Sequence, residues 1–352
     1  MAHQATDGTP DESAAEERAA QDDGLTSVTI AYVADAARNP IPSAPSAPGG
    51  HPSVSERTRA CIEELLSHHG YGESDDSGAD LVALVFHELA NMWGEEILRG
   101  VEEVARRHGV AVAAFDIGQH QGRSQPVDDT PGGRPDRYLS VQRLTSAERE
   151  RLTARGVPFV VYDPISELPD DTPFVGATNF RGGHAAVRHL LALGHRRIAL
   201  ISGPDHLFCT ARKAGYRAAL AEAGITAEPE LQPWAPLTFE DGHAAARDLL
   251  SLPDRPTAVF AVTDLQALGV YQAARELGLS IPRDLSVVGF DDLPVAPLLA
   301  PPLTTVRQPL KEMAATATEL ALALGRGELA PQVGLEIATT LTVRESTAPP
   351  KR

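Results

Sequence analysis

From Asp80 onward the chain repeats one rhythm of apolar run, polar turn and amphipathic helix, and that alternation admits few folds. Strands joined by helices lie parallel, and a parallel strand covered on both faces reads as an unbroken apolar run. Leu81 to Phe86, Ile198 to Ser202, Ala258 to Val262 and Leu285 to Phe290 have that character. Further strands are predicted at Val110 to Phe115, Tyr138 to Val141 and Val157 to Val161, with helices at Glu95 to His108, Ser146 to Arg155, Arg181 to Leu193, Arg212 to Ala223 and Leu265 to Leu277. Gly109 and Gly194 stand where the helices before them should stop. A helix from Leu310 to Leu324 and one terminal strand, about Val333 to Val343, complete an α/β pattern. Gly118 to Asp136 is polar and rich in Gly and Pro where a crossover helix is expected.

The first 80 residues follow other rules. Residues 1–24 carry many charges and few large apolar groups, which predicts a disordered acidic tail, and they lack the basic and apolar regions of a signal peptide. Val28 to Arg38 has a short helical pattern; Pro40, Pro42, Pro45, Pro48 and Pro52 then mark a loop, and Ser53 can cap a helix running to about His69. A length of 352 suggests two or three domains. The formal charge of −17 argues against broad affinity for nucleic acid or anionic lipid, since both attractions come from Lys and Arg. Two cysteines, Cys61 and Cys209, exclude a disulfide framework and fit a reducing cytoplasm, and no apolar run is long enough to cross a bilayer.

Polar groups gather wherever a strand ends: Trp93, Asp163, Asn179 with Phe180, Asp205, Thr263 with Asp264, and Asp291 with Asp292. In open parallel sheets the carboxyl ends of the strands form the ligand edge. Carboxylates and amides bond hydroxyls while aromatic faces cover the apolar side of a sugar ring, so this mixture suits a polyhydroxylated ligand. Capping of the following helix is the competing reading for each Asp. Arg212, at the predicted start of its helix, would hold vicinal hydroxyls with its guanidinium fork or simply be solvated. Catalytic and metal readings find little support: the 12 histidines show no HExxH spacing, no phosphate loop occurs, and Gly182-Gly183 reads as close helix packing. Neighbouring carboxylates such as Asp291 and Asp292 point apart at a strand end, which disfavours a glycosidase pair.

Several passages carry a family likeness: Val-Gly-Ala-Thr-Asn-Phe-Arg-Gly-Gly, His-Leu-Leu-Ala-Leu-Gly-His-Arg-Arg-Ile-Ala-Leu-Ile-Ser-Gly-Pro, Ala-Arg-Lys-Ala-Gly-Tyr-Arg-Ala-Ala-Leu, Thr-Asp-Leu-Gln-Ala-Leu-Gly-Val, Ser-Val-Val-Gly-Phe-Asp-Asp and Leu-Thr-Thr-Val-Arg-Gln-Pro. From about Phe174 to Pro350 the chain resembles the effector domain of LacI/GalR-type transcription repressors. The resemblance implies a periplasmic-binding-protein-like type I fold of two Rossmann-like parallel-sheet subdomains, with a small sugar held between them, no cofactor, and a cytoplasmic homodimer acting on operator DNA. It assigns residues 80–345 to the effector domain, with subdomain 1 at about 80–177 and 310–333, subdomain 2 at about 178–305 and 334–345, and a tail at 346–352. Arg212 and Asp291 match the family's hydroxyl-clamping pair, Thr263 and Asp264 its Asn-Asp position, and Trp93 and Phe180 fall where cleft aromatics are expected; Asp163 and Asn179 are ligand-binding candidates from their strand ends.

The resemblance also implies a helical headpiece, here 25–71, followed by a hinge at 72–79. Thr29 and Tyr32 fall on the likeness of the first helix, Arg57 and Arg59 on that of the third. A recognition helix should lie between them, but an interior proline costs about 3 kcal/mol, so no helix is expected across Pro40 to Pro52. The hinge, basic in the family, reads Gly-Glu-Ser-Asp-Asp-Ser-Gly-Ala, with Asp80 after it. Residues 1 to 80 hold 4 Arg and no Lys against 15 Asp plus Glu, a net of −11, so phosphate contacts are expected to be weak by family standards. The expected function is a sugar-responsive transcription regulator. A cytosolic sugar sensor or dimer partner without DNA output stays open beside it, as does a glycoside-processing enzyme.

Overall fold

The computed structural model describes residues 80–86, 92–116, 137–328 and 332–351. The expected acidic tail, headpiece and hinge, with Thr29, Tyr32, Arg57 and Arg59, and the stretch Gly118 to Asp136 lie outside the described residues. The strands are β1 (Leu81–Phe86), β2 (Ala111–Asp116), β3 (Arg137–Val141), β4 (Phe159–Tyr162), β5 (Phe174–Ala177), β6 (Ile198–Ile201), β7 (Ala258–Ala261), β8 (Ser286–Asp291), β9 (Thr304–Arg307), β10 (Gly334–Ile337) and β11 (Thr340–Thr342). The helices are α1 (Met92–His108), α2 (Ser146–Ala154), α3 (Asn179–Ala192), α4 (Leu207–Glu222), α5 (Phe239–Leu250), α6 (Asp264–Glu276) and α7 (Leu310–Gly325). They build two sheets, ordered β10-β5-β4-β3-β1-β2 and β11-β9-β8-β7-β6, with every pair parallel except β11 against β9.

Alternation along each strand divides the core. In β1, Val82, Leu84 and Phe86 meet Ile97, Val101 and Val104 of α1 and Met313, Ala314 and Ala317 of α7, while Ala83 and Val85 meet Tyr138 and Leu152 on the other face. In β6, Ala199 and Ile201 pack towards α5 and α6, and Ile198 and Leu200 towards α3 and α4. Both faces being covered explains the unbroken apolar runs.

Helix ends follow local chemistry. Thr145 and Glu148 close a capping box before α2, Thr238 accepts from the Asp241 amide before α5, and Gly109 and Gly194 take φ of 66° and 99° just after α1 and α3. In the second sheet's layers one helix-crossing device occurs twice. Gly183 of α3 faces Gly215 of α4, and Gly242 of α5 faces Gly269 of α6, each too close to opposing backbone to admit a Cβ. One residue after Gly183 and Gly242, His184 and His243 each lie 2.9 Å from a glutamate on the partner helix, Glu222 and Glu276. Phe180 and Phe239 stack on those same imidazoles. The close packing expected of the Gly182-Gly183 pair is thus present at Gly183.

The structure departs from the sequence expectations at definite places. Strands β5 and β9 and helix α5 are additional: Phe-Val-Gly-Ala and Thr-Thr-Val-Arg are only four residues long, too short to show a period, and Gly242 inside α5 serves helix packing. Helix α4 begins at Leu207, placing Arg212 in its second turn and not at its start. The single terminal strand is two, split at Ala338-Thr339, with β10 in the first sheet and β11 in the second. The boundary drawn at 334 is therefore corrected: Gly334–Ile337 belongs to subdomain 1, and no Gly or Pro marks the break that follows. The tail at 346–352 is corrected too. Ser346 is fully buried, its Oγ donates 2.6 Å to the Val287 carbonyl, and the Ala348 carbonyl lies 2.9 Å from the buried His195 ring.

The chain passes between the sheets three times, after β5, after β9 and between β10 and β11. Residues 77–352 form one compact unit, and these three passages join its halves. Among the described residues no helix is long and apolar enough to cross a membrane.

Candidate functional site

Strands β4, β5 and β8 end in polar residues where the halves meet. Asp163, just past β4, has φ 46°, and Asp291 and Asp292, at the end of β8, have φ 109° and 59°. L-residues rarely adopt such backbone, and Asp tolerates it better than most because its short side chain bonds locally. Residues held this way cluster at ligand clamps, where surrounding contacts fix them.

Those contacts converge on Arg212, which is 2% exposed. Its Nε donates to Asn179 Oδ1 at 2.8 Å, Nη1 to the Val262 carbonyl at 2.6 Å and to Asp291 Oδ1 at 3.2 Å, and Nη2 to Gln308 Oε1 at 2.6 Å. The guanidinium also lies over the Phe290 ring at 3.6 Å and the Phe208 ring at 5.0 Å. Gln308 passes the network on, its Nε2 donating to Asp163 Oδ2 at 2.9 Å, and Trp93 donates its indole N–H to Asp291 Oδ2 at 2.9 Å. Asp163 and Trp93 come from the first sheet's layers and Arg212 and Asp291 from the second's, so the network ties the halves together.

Beside it opens a cavity of about 860 Å³, whose walls include Asp163, Asn179, Phe180, Phe208, Phe174 and Glu336. Phe180 is 47% exposed there. Trp93, Asp163, Asn179, Phe180, Arg212 and Asp291 are thus brought to one region. Thr263 and Asp264 lie at the end of the neighbouring β7, next to the Val262 carbonyl that Arg212 holds, but their own described hydrogen bonds stay within the second half. Thr263 caps α6 by accepting from the Gln266 amide, and Asp264, fully buried, accepts from Thr305 Oγ1 at 2.6 Å and the Leu293 amide at 2.8 Å. The cap of α6 is thus Thr263 and not the Asp beside it, and Asp264 pins the turn after β8. Asp292 turns away from Asp291 to Arg344 and Thr342.

Two contributors escaped the sequence reading. Gln308 sits in the Val-Arg-Gln-Pro passage without a charge to draw notice, and Phe208 precedes the expected helix start.

Burial drives the electrostatics. It pushes the Asp291 carboxyl up to about 6, against the lowering pull of Arg212 and of the Trp93 hydrogen bond, and it raises Asp163 and Asp264 as well. A carboxyl with a raised native pKa binds its proton more tightly folded than unfolded. Its contribution to stability is complete below the ordinary value of 3.8 and is lost as pH rises through about 6. His195, lowered by burial, works in the opposite sense, its contribution being lost as pH falls below 6.5. The stability of the native protein relative to an Asp291→Asn variant is therefore expected to be greatest near pH 4 and to shrink towards pH 7. Thermal unfolding of both across that range checks it; a constant difference would show that Asp291 ionises as in water.

Two parallel-sheet halves joined by three passages, with a polar clamp and a cavity where their strands end, define a periplasmic-binding-protein-like protein. The family model for the periplasmic binding protein-like domain matches residues 187–347. The regulator MalR of Streptomyces coelicolor is 41% identical over 326 residues, covering 85% of this chain and 90% of that protein. The repressor CytR of Escherichia coli is 32% identical over 287 residues, covering 78% of this chain and 83% of that protein. The chain belongs to the LacI family of transcriptional regulators. Among solved structures, a complex of the regulator CelR with cellobiose superposes with a TM-score of 0.70 at 30% identity, covering 91% of this chain and all of that one. A LacI-family regulator from Enterococcus faecium with bound ribose does so with a TM-score of 0.69 at 25% identity, covering 77% and 100%.

Proposed function

We propose that this protein is a sugar-responsive transcriptional regulator that binds a small carbohydrate between its halves, with Arg212 and Asp291 as the hydroxyl clamp. The observation that carries this reading is the buried network around Arg212, which joins both halves at the edge of a cavity. A sugar hydroxyl donates and accepts, so it can replace the Arg212–Asp291 and Gln308–Asp163 contacts in kind. Phe180, exposed on the cavity wall, offers a ring face to the sugar's apolar side. Cellobiose and ribose bound to the two related regulators support the same ligand chemistry here.

A ligand that touches both halves favours one of their arrangements by the difference of its affinities for the two. The three passages between the sheets are where that change is absorbed, and in a homodimer it alters the spacing of paired DNA-binding segments. Action on operator DNA and a cytoplasmic location belong to the same reading. Glycoside turnover does not, because Asp292 is held by Arg344 and faces no bond in common with Asp291.

Thermal-shift measurements on the full-length protein with mono- and disaccharides, cellobiose, maltose and ribose among them, test the ligand. A stabiliser is expected, worth about 2.7 kcal/mol at a hundredfold excess over Kd. If none raises the transition, the sugar reading fails. A second reading, a sugar sensor without DNA output, is favoured by the net −11 of residues 1 to 80 and the five prolines from Pro40 to Pro52. Selection of bound genomic fragments at two salt concentrations separates the two: enrichment at low salt supports regulation, and none supports the sensor.

A further inference from the structure

Asp291 and Asp292 are consecutive, both in the left-handed half of backbone space, and their carboxylates leave in different directions. Asp291 goes to Trp93 and Arg212. Asp292 goes to the segment after β11, where its Oδ1 accepts from Arg344 Nη2 at 2.6 Å and its Oδ2 from Thr342 Oγ1 at 3.3 Å. Arg344 is itself anchored twice, Nη1 donating to the Leu303 carbonyl at 2.8 Å and its backbone amide donating to Thr304 Oγ1 at 3.0 Å. The next residue, Leu293, gives its amide to Asp264.

A backbone that L-residues disfavour persists only while its surroundings over-determine it. On the Asp292 side the fixing contacts are Arg344 and Thr342, and the Arg344–Asp292 pair, with side chains 20% and 13% exposed, is the charged one. Were it released, Asp292 would be free to return to ordinary backbone, and rotation there would carry Asp291 off the line to Trp93 and Arg212.

We infer that Arg344 is a positioning residue for the clamp: by holding Asp292 it sets the posture in which the Asp291 carboxylate reaches Trp93 and Arg212. Arg344 is absent from the cavity wall. It follows the third passage between the sheets, so the clamp is tied mechanically to a segment that must adjust when the halves move. The bearing on ligand binding rests on the sugar reading above; the geometry does not.

The test needs no sugar, so its failure is distinct from failure of the ligand reading. The chain has two tryptophans, and Trp234→Phe leaves Trp93 as the sole reporter. Full-length protein labelled with fluorotryptophan gives one fluorine NMR line, and Asp291→Asn calibrates how far it moves when the carboxylate acceptor is lost. Arg344→Met is expected to move the line in the same direction by at least half that displacement, with Arg344→Lys restoring most of it. Asp292→Asn, which keeps a side chain tolerant of left-handed backbone, is the milder variant and should give a smaller shift of the same sign. Arg283→Met, which removes a different aspartate–arginine pair, should leave the line in place. A Trp93 line unmoved in both Arg344→Met and Asp292→Asn, or moved equally by Arg283→Met, overturns the inference.

Discussion

Arg212→Met is expected to lower the unfolding free energy by about 3–5 kcal/mol and to abolish any carbohydrate-induced rise in melting temperature. Methionine fills part of the volume but donates nothing. Asn179, the Val262 carbonyl, Asp291 and Gln308 each lose a hydrogen bond in a place where water does not replace it readily. The largest part of the cost comes from Asp291, 2% exposed, whose only other described side-chain donor is Trp93. Because that carboxyl takes up a proton near pH 6, the loss should be smaller at pH 5 than at pH 8, where an uncompensated charge stays buried. Urea unfolding at both values measures it. A companion variant separates folding from binding: Arg212→Met with Asp291→Asn removes both charges, keeps a side chain suited to this backbone and an acceptor for Trp93, and should recover much of the stability while leaving the sugar response absent. A single mutant as stable as the native protein would mean that the network is not closed in solution.

Gly215→Ala is expected to destabilise by about 3 kcal/mol, at the upper end for overpacking, although Gly→Ala within a helix ordinarily stabilises by about 0.5–1 kcal/mol. The reversal comes from the crossing of α3 and α4. A methyl group on Gly215 would meet the Phe180 carbonyl oxygen and lie 2.6 Å from the His184 amide nitrogen, both backbone atoms that no rotamer change can move aside. The helices would have to part, loosening Asn179 at the start of α3 from Arg212 on α4. Denaturant unfolding should therefore report the loss, and a weakened sugar response should accompany it. Retained stability would show that the crossing gives way cheaply.

The parallel α/β class was legible because burial on both faces demands continuous apolar strands, and Ile198 to Ser202, Ala258 to Val262 and Leu285 to Phe290 supply them. The family was legible in its motif passages. Strand-end chemistry likewise pointed to Asp163, Asn179 and Asp291, since strand ends are where the chain leaves the sheet, whereas Arg212 was marked by its motif passage. Individual roles were harder to see. Thr263-Asp264 and Asp291-Asp292 look alike as strand-end pairs, yet Asp264 is consumed by Thr305 and the Leu293 amide while Asp291 meets Arg212 across 79 positions of chain.

By itself, then, the amino-acid sequence determined the longer strands and most of the helices and the side chains they had to bury, because periodicity and local propensity act within a few residues. Tertiary structure alone decided the rest. Gln308 bridges Asp163 and Arg212, β10 and β11 part into different sheets, and Arg344 reaches Asp292 over 52 positions. Each of these depends on contacts between distant segments, and such contacts leave no period in the sequence. They are set only when two packed layers bring unrelated strand ends to one edge.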